Sequence, residues 1–171
     1  NAYFTGFGRN KRIVFFDTLL KSLKNEEVVA VLAHELGHLK HKHILKSLIW
    51  GVLFMGVGLY ILGVLYRTPS FFTDLAGTNS SSYMGLMLFS YVSSVFSFIF
   101  TPISSWLSRK KEYEADEFAT TYASGQALID ALISMYKDNS NTLTPSPTYS
   151  KFYYSHPPAM ERVEFIKSKM N

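Results

Sequence analysis

A run of twenty residues without a charged or histidine side chain is the feature that most constrains the fold of this chain. It extends from Ser47 to Tyr66 and reads SLIWGVLFMGVGLYILGVLY. As a helix it measures about 30 Å, which matches the hydrocarbon thickness of a bilayer. Trp50 and Tyr66 lie toward its ends, where interfacial aromatic residues are common in membrane helices. The run therefore predicts a transmembrane span at residues 47–66.

A second uncharged run, from Tyr83 to Ser108, predicts a second span at about residues 83–107. Its serines and Pro102 make it the weaker of the two signals. Two spans joined by a loop at residues 67–82 form a helical hairpin, so both flanking segments return to the same side of the membrane. The alternative is a soluble protein in which both runs are buried core helices.

Basic residues are concentrated on the side to which both flanking segments return, whereas the loop between the spans carries only Arg67 and Asp74. By the positive-inside rule the flanking side faces the cytoplasm. The basic residues beside the spans are Lys21, Lys24, Lys40, Lys42, Lys46, Arg109, Lys110 and Lys111. Because the basic residues cluster beside the spans, we attribute the net charge of +4 to contact with a lipid bilayer. We expect no nucleic-acid partner.

The composition excludes several classes of protein. The chain has no cysteine, which excludes a disulfide framework, a thiol nucleophile and a cysteine-ligated metal site. Charged residues make up only 18% and aromatic residues 16%, so a disordered chain is excluded as well. The sequence begins at Asn1 without a methionine or a signal peptide, and we interpret it as a fragment of a longer protein.

The segments around the spans predict further elements. Residues 2–7 and 11–16 alternate as a β-hairpin does, around a turn at Gly8-Arg9-Asn10. Asn25 is a candidate N-cap, and from there we expect one continuous helix that runs into the first span.

In the second half of the chain we expect a third helix from about Leu107 and a last helix over residues 159–169, after Pro157-Pro158. Polar stretches rich in Ser, Pro and Asn predict loops at residues 77–82 and 138–150.

The helix expected to begin at Asn25 contains the pattern H-E-x-x-H, as His34-Glu35-Leu36-Gly37-His38. A spacing of four residues places both imidazoles on one face of a helix, where they can bind one zinc ion. Glu35 then lies beside the metal and can take a proton from a water molecule that the metal activates. A catalytic zinc needs a third protein ligand and an open position.

The candidates for the third ligand are His41, His43, His156 and the acidic residues of the segment 112–117. On an unbroken helix His41 lies about 10 Å along the axis from His34, so it cannot share an ion with both histidines of the motif. We expect His41 and His43 to be solvated near the membrane surface.

The acidic segment offers the best third ligand. Glu112, Ala115, Asp116 and Ala119 fall on one helical face, and small residues also flank the histidines as Ala33 and Gly37. Small residues let two helices approach closely enough for a short carboxylate to reach the metal. We therefore expect Glu112 to be the third ligand and Asp116, one turn on, to orient a ligand or to pair with a cation. Glu114 and Glu117 are expected to point into solvent.

Four motifs in order resemble the M48 family of membrane zinc endopeptidases. They are the opening Asn1-Ala2-Tyr3-Phe4-Thr5-Gly6 with Lys11-Arg12-Ile13-Val14 and Asp17-Thr18-Leu19, then HELGH, then Ser108 to Asp116, then Ser155-His156-Pro157-Pro158 with Arg162. The opening resembles the Ste24 branch, of the CAAX prenyl protease type, more than the HtpX heat-shock branch. The expected fold is mainly α: a membrane gluzincin-like zinc peptidase domain with a short N-terminal β-hairpin and a two-helix transmembrane hairpin. Residues 1–171 would form its catalytic domain.

The resemblance implies roles for individual residues. His34, His38 and Glu112 match the ligands of one zinc ion per chain, and Glu35 matches the general base. Asp116 matches the acid of the family's E-x-x-x-D motif, and Arg162 an arginine that reaches the site or Asp116. His156 matches a histidine that stabilises the oxyanion or holds substrate. Asn1 and Ala2 belong to a segment that matches a substrate-binding edge strand.

The implied function is that of an integral-membrane zinc metalloendopeptidase that cleaves membrane-associated or prenylated (CAAX-type) peptide or protein substrates. The alternatives are an HtpX-like quality-control protease of membrane proteins and a non-catalytic membrane scaffold with a zinc site. The family's earlier transmembrane helices are absent from this sequence and are expected as partners in the full-length protein. The segment between Leu20 and Asn25 is short, which favours a bacterial homologue in the inner membrane over one in the endoplasmic reticulum.

Overall fold

A computed structural model of the protein describes residues 2–5, 12–77, 79, 81–138 and 145–170. Within these residues, two strands are followed by eight helices. The chain divides into two compact units: the first comprises Asn1–His43 and Ser104–Asn171, and the second comprises Ile44–Ile103.

The first unit begins with an antiparallel β-hairpin. Strands β1 (Ala2–Thr5) and β2 (Arg12–Phe15) pair with Ala2 opposite Phe15. The predicted hairpin is therefore confirmed, although its turn at residues 8–10 lies outside the described residues. A short helix, α1 (Asp17–Ser22), follows the hairpin.

Helix α2 (Asn25–Lys40) carries the HELGH motif. Its N-cap is Lys24, one residue before the predicted Asn25, and the Lys24 backbone N–H donates to Glu27 Oε2 at 3.0 Å. A cluster of buried apolar side chains packs α2 against the C-terminal part of the unit: Ala30, Ala33, Ala119, Ala127, Leu128, Ile129, Leu132, Val163 and Ile166. This core fixes the helix that bears the two histidines.

The prediction of one continuous helix from Asn25 into the first span is wrong. Helix α2 ends at Lys40, and helix α3 (His43–Tyr66) begins after a turn at His41 and Lys42. Lys42 has φ 54°, in the left-handed region that a lysine seldom adopts. One left-handed residue interrupts the helical hydrogen bonds, and the turn contains neither the glycine nor the proline that would have indicated it.

In the second unit, α3 lies antiparallel to the first half of a 41-residue helix, α5 (Ser82–Tyr122). The rings of Phe54 and Phe100 are 5.3 Å apart, and a Cβ on Gly85 would lie 3.2 Å from the Tyr66 ring. The two-helix hairpin is therefore confirmed. A further helix, α4 (Pro69–Ala76), lies in the segment predicted as a loop at residues 67–82.

Helix α4 is held by aromatic packing that the loop prediction missed. Pro69 stands in its first turn, and Gly77 ends it in the left-handed region at φ 60°. Phe72 is fully buried and packs edge-on against Tyr66, with ring centroids 5.8 Å apart. Phe71 and Phe72 are thus the apolar anchors that make this polar-looking connection helical.

Within the described part of the chain, helices α3 and α5 are long and apolar enough to cross a membrane, with mean hydropathies of 2.3 and 1.7 in their most apolar segments. None of these segments is buried, and large side chains such as Trp50 and Phe54 are more than half exposed. A core helix of a soluble protein is buried. The exposure therefore disfavours the soluble alternative.

Helix α5 continues without a break to Tyr122, so the predicted separate helix from Leu107 is wrong. Neither a glycine nor a further proline interrupts it after Pro102. Its last part belongs to the first unit and carries the acidic motif at residues 112–117.

The first unit ends with three helices: α6 (Gly125–Asp138), α7 (Pro147–Tyr153) and α8 (Ala159–Met170). The predicted last helix over residues 159–169 is confirmed. The predicted loop at 138–150 is wrong at its end, because α7 begins at Pro147. Residues 139–144 of that loop lie outside the described residues.

Candidate active site

The two histidines of α2 point to a common position, as their spacing predicts. His34 is buried and His38 is half-buried. Their Nε2 atoms lie 3.2 Å apart. Each imidazole thus offers the same ring nitrogen to one point beside the helix, and its other ring nitrogen, Nδ1, faces away from that point.

Glu112 of α5 faces the same position because α2 and α5 approach closely. A Cβ on Gly37 would lie 2.9 Å from the Ala115 Cα, closer than a side chain tolerates. This contact brings Glu112 Oε1 to 3.4 Å from His38 Nε2, and Glu112 Oε2 to 3.6 Å from His34 Nε2. The small-residue contact predicted from Ala33, Gly37 and Ala115 is the one that brings the carboxylate to the histidines.

The three donors fit a zinc ion. With metal–ligand distances near 2.0–2.1 Å and tetrahedral angles, neighbouring ligand atoms lie about 3.3 Å apart. The three observed separations of 3.2, 3.4 and 3.6 Å lie close to this value. Two imidazoles and one carboxylate form the donor set of many catalytic zinc sites, which leave the fourth position open. All three residues belong to the first unit.

Asp116 and Arg162 form a buried pair beside His34. Asp116 Oδ1 lies 2.9 Å from His34 Nδ1, and the Arg162 guanidinium donates to both Asp116 oxygens at 2.6 and 2.8 Å. When His34 Nδ1–H donates to this carboxylate, Nε2 is left free for a metal. The structure thus brings Asp116 into contact with both a histidine of the motif and a cation, and it brings Arg162 to Asp116, as the resemblance implied.

His156 lies on the solvent side of the three donors. Its Nδ1 is 3.0 Å from Glu112 Oε2, and 65% of its side chain is exposed. Arg109 holds the preceding segment against α5, because its guanidinium donates to the carbonyl oxygens of Ser150 and Tyr154 at 3.3 and 2.8 Å. Sequence reasoning missed this role of Arg109, since nothing in the sequence pairs it with carbonyl groups more than forty residues away.

Burial and hydrogen bonds shift the pKa values of the two histidines and of Glu35. Burial and the neighbouring His34 lower the pKa of His38 to about 4, so this imidazole is neutral at pH 7, the form that binds a metal. Burial lowers the pKa of His34, but hydrogen bonds to Asp116 and Glu112 outweigh it, and the net pKa is raised. Burial raises the pKa of Glu35 toward the range of a general base.

Of the residues expected in solvent, His43 is buried, and His41 and Glu114 are half-buried. His43 is only 3% exposed, and its Nε2 lies 3.0 Å from Oε2 of Glu114, which is half-buried. The expectation of solvated side chains at these positions is therefore wrong, and for His43 the reason is that the turn at Lys42 brings it back into the first unit. Glu117 is exposed as expected and pairs with Lys169 at 2.8 Å.

The N-terminal strand β1 lies beside α2, the helix of the two histidines. Within the described residues it pairs only with β2, so its other edge has no strand partner. Ala2 is its first residue, whereas Asn1 lies outside the described residues. Their role in substrate binding stays a prediction.

Gly37→Ala is expected to disrupt the metal site without touching a donor. The added Cβ would meet the Ala115 backbone, which forces α2 and α5 apart at a cost of about 1–3 kcal/mol. Zinc affinity, measured by chelator competition, should fall, and the thermal midpoint should drop. Gly56→Ala is the matched control, since a Cβ there meets nothing within 4 Å. Unchanged zinc affinity in Gly37→Ala would show that the close approach does not set the donor geometry.

Comparison with known proteins gives consistent results. The sequence profile described as Peptidase family M48 matches residues 1–170. A CAAX prenyl protease 1 homolog of Taenia solium is 37% identical over 99% of this chain, and one of Arabidopsis thaliana is 36% identical over 97%. The crystal structure of S. mikatae Ste24p matches 97% of this chain with a TM-score of 0.84 and 36% identity.

The chain spans about two-fifths of the proteins it matches: 42% and 39% of these two relatives and 41% of the Ste24p chain. Over that part, identities above 30%, a shared fold and a family profile that reaches from the first residue to residue 170 all agree. This chain belongs to peptidase family M48.

Proposed function

We propose that this chain is the catalytic part of an integral-membrane zinc metalloendopeptidase that cleaves membrane-associated or prenylated, CAAX-type substrates. The observation that carries the proposal is the tetrahedral spacing of His34, His38 and Glu112, with Glu35 between the two histidines in sequence. The names of the relatives support the substrate class, since they are CAAX prenyl proteases.

The chemistry follows from the side chains around the donors. Zinc, when bound, supplies Lewis acidity, which polarises a peptide carbonyl and makes water acidic at neutral pH. Glu35 takes the proton of the attacking water, for which its raised pKa suits it, and returns it to the leaving amine. The hydrogen bond between His34 and Asp116 holds this imidazole in place before substrate binds, which is the kind of preorganisation that lowers the cost of the reaction.

His156 and β1 account for the handling of substrate. The hydrogen bond to Glu112 raises the pKa of His156, which favours the cationic form that stabilises a developing oxyanion. The open edge of β1 can pair with an extended peptide through backbone hydrogen bonds, with Asn1 and Ala2 at its start. Recognition of this kind depends little on the identity of the substrate side chains.

We infer that the site faces the cytoplasm. The basic residues beside the apolar helices support this orientation, because cytoplasmic flanks of spans are rich in Lys and Arg. The bacterial origin stays a prediction: the alignment with the Arabidopsis relative spans only 169 residues, so a chain without a long insertion also occurs in a eukaryote. The partners proposed for the site are the bilayer and the N-terminal transmembrane helices of the full-length protein.

The substrate proposal predicts that a membrane anchor increases cleavage. One peptide sequence is prepared with a farnesyl group, with an alkyl anchor of similar apolarity and with no anchor, and kcat/KM is measured on the purified protein in vesicles. Both anchored peptides are expected to be cleaved better than the free one, because the bilayer concentrates them beside the site.

Equal kcat/KM for all three peptides would contradict membrane delivery and leave a general zinc peptidase. An advantage of farnesyl over the alkyl anchor supports CAAX specificity. If the two anchors perform equally, the CAAX assignment fails and the quality-control alternative, cleavage of membrane-protein ends, takes its place.

A further inference from the structure

His43 has both ring nitrogens engaged, although no role in the proposed chemistry requires it. It is the first residue of α3 and is only 3% exposed. Its Nδ1 lies 2.9 Å from His38 Nδ1, and its Nε2 lies 3.0 Å from Glu114 Oε2. His43 thus connects the Nδ1 of a candidate metal ligand to a carboxylate.

The directions of these hydrogen bonds follow from metal binding. If His38 binds a metal through Nε2, its Nδ1 carries the hydrogen and donates. His43 Nδ1 must then accept, so the hydrogen of His43 is on Nε2. That N–H points to the Glu114 carboxylate, which accepts it. Every donor in the series meets an acceptor, and the series ends on a negative charge.

We propose that Glu114 and His43 form a positioning relay for His38, which fixes its ring orientation and its tautomer for metal binding. The inference rests on the proposed metal site. The other histidine has a direct partner of the same kind, because Asp116 accepts from His34 Nδ1. In this arrangement each metal-binding imidazole is oriented by a carboxylate: His34 directly, and His38 through His43.

The same residues suggest a competing arrangement. Donor atoms of His41, His43 and Glu114 lie within 4.8 Å of one another, close enough to hold a second metal ion. A metal on His43 Nε2 would place the hydrogen of His43 on Nδ1, where it meets the Nδ1–H of His38 at 2.9 Å with no acceptor. A metal on His43 Nδ1 would remove the acceptor itself. A metal on His43 therefore takes away the acceptor of the His38 hydrogen, so the relay and the second metal site are alternatives.

The turn at Lys42 makes the relay possible. On a continuous helix, residues five positions apart do not share a face, so His43 could not reach His38. Lys42 in the left-handed region ends α2 and redirects the chain before His43. The unusual backbone at Lys42 thus places the imidazole that orients a candidate ligand.

The test measures zinc affinity by chelator competition and the visible spectrum of the cobalt-substituted protein. His43→Ala is expected to raise the zinc Kd about 10- to 100-fold and to change the cobalt spectrum, since His38 loses the partner that orients it. His43→Gln should restore part of the affinity, because its amide oxygen accepts from His38 and its amide group donates to Glu114. His41→Ala is the matched control and should leave Kd unchanged: His41 stacks on His43 but does not belong to the relay.

Glu114→Gln is a second variant that tests the relay if His43→Ala fails to fold, since Glu114 is only half-buried and the change is small. It should raise Kd less than His43→Ala, and the effects of the two single changes should not add in the double variant.

If His43→Ala has the zinc Kd and the cobalt spectrum of the wild type, the relay is wrong. Binding of two zinc ions per chain, with one lost in His41→Ala, would overturn it in favour of the second metal site. If the wild-type protein binds no zinc, the proposed function itself fails, which is a different result from loss of the relay alone.

Discussion

Glu35→Gln is expected to reduce kcat by about 100- to 10,000-fold, the contribution typical of a positioned general base. The amide has nearly the shape of the carboxylate but cannot take a proton. Glu35 does not belong to the three-donor set, so the zinc content of the variant should equal that of the wild type. Hydrolysis of an anchored peptide and metal analysis of the same preparation measure both quantities.

The matched control for this variant is Glu26→Gln, which makes the same change at an exposed position of the same helix. Its kcat and zinc content should both remain at the wild-type level. Turnover of Glu35→Gln close to that of the wild type would mean that another group takes the proton. Loss of zinc together with activity would assign Glu35 a structural role instead.

Glu112→Ala is expected to weaken zinc binding by more than ~100-fold, beyond the effect of losing a partner that only orients a ligand. The change removes one of three protein donors and the carboxylate that lies 3.7 Å from Arg162. The two remaining imidazoles would then bind the ion without a negatively charged donor and with the Arg162 guanidinium nearby. Chelator competition measures the dissociation constant, and hydrolysis should fall with zinc occupancy.

Glu117→Ala is the control on the same helix, because Glu117 is exposed and faces Lys169 rather than the histidines. Its zinc affinity should match that of the wild type. The thermal midpoint of the metal-free form of each variant separates loss of the site from loss of the fold. Equal zinc affinity in Glu112→Ala and the wild type would show that the third ligand lies elsewhere.

The parts of the site that could be predicted from the sequence depend on local spacing. The four-residue interval between His34 and His38 determines that both imidazoles share a face, whatever the helix packs against. Glu112 and Asp116 could be separated from Glu114 and Glu117 because they share a face with alanines, and the close contact of Gly37 with Ala115 shows why that face is the buried one.

The parts that could not be predicted depend on single backbone angles or on distant contacts. The break before His43 rests on one left-handed residue, Lys42, at a position without glycine or proline, so the motif helix looked continuous with the span. Arg109 binds carbonyl groups of a segment about forty residues away, and no local pattern identifies such a pair. Helix α4 depends on the burial of Phe72, whereas the polar residues around it indicated a loop.

The proposed function depends on one zinc ion held by His34, His38 and Glu112. Anomalous diffraction at the zinc edge, from crystals of the wild-type protein grown without chelator, tests this most directly. We expect one anomalous peak per chain, about 2.0–2.2 Å from the two Nε2 atoms and a Glu112 oxygen. A peak among His41, His43 and Glu114, or no peak in protein whose three donors are intact, would contradict it.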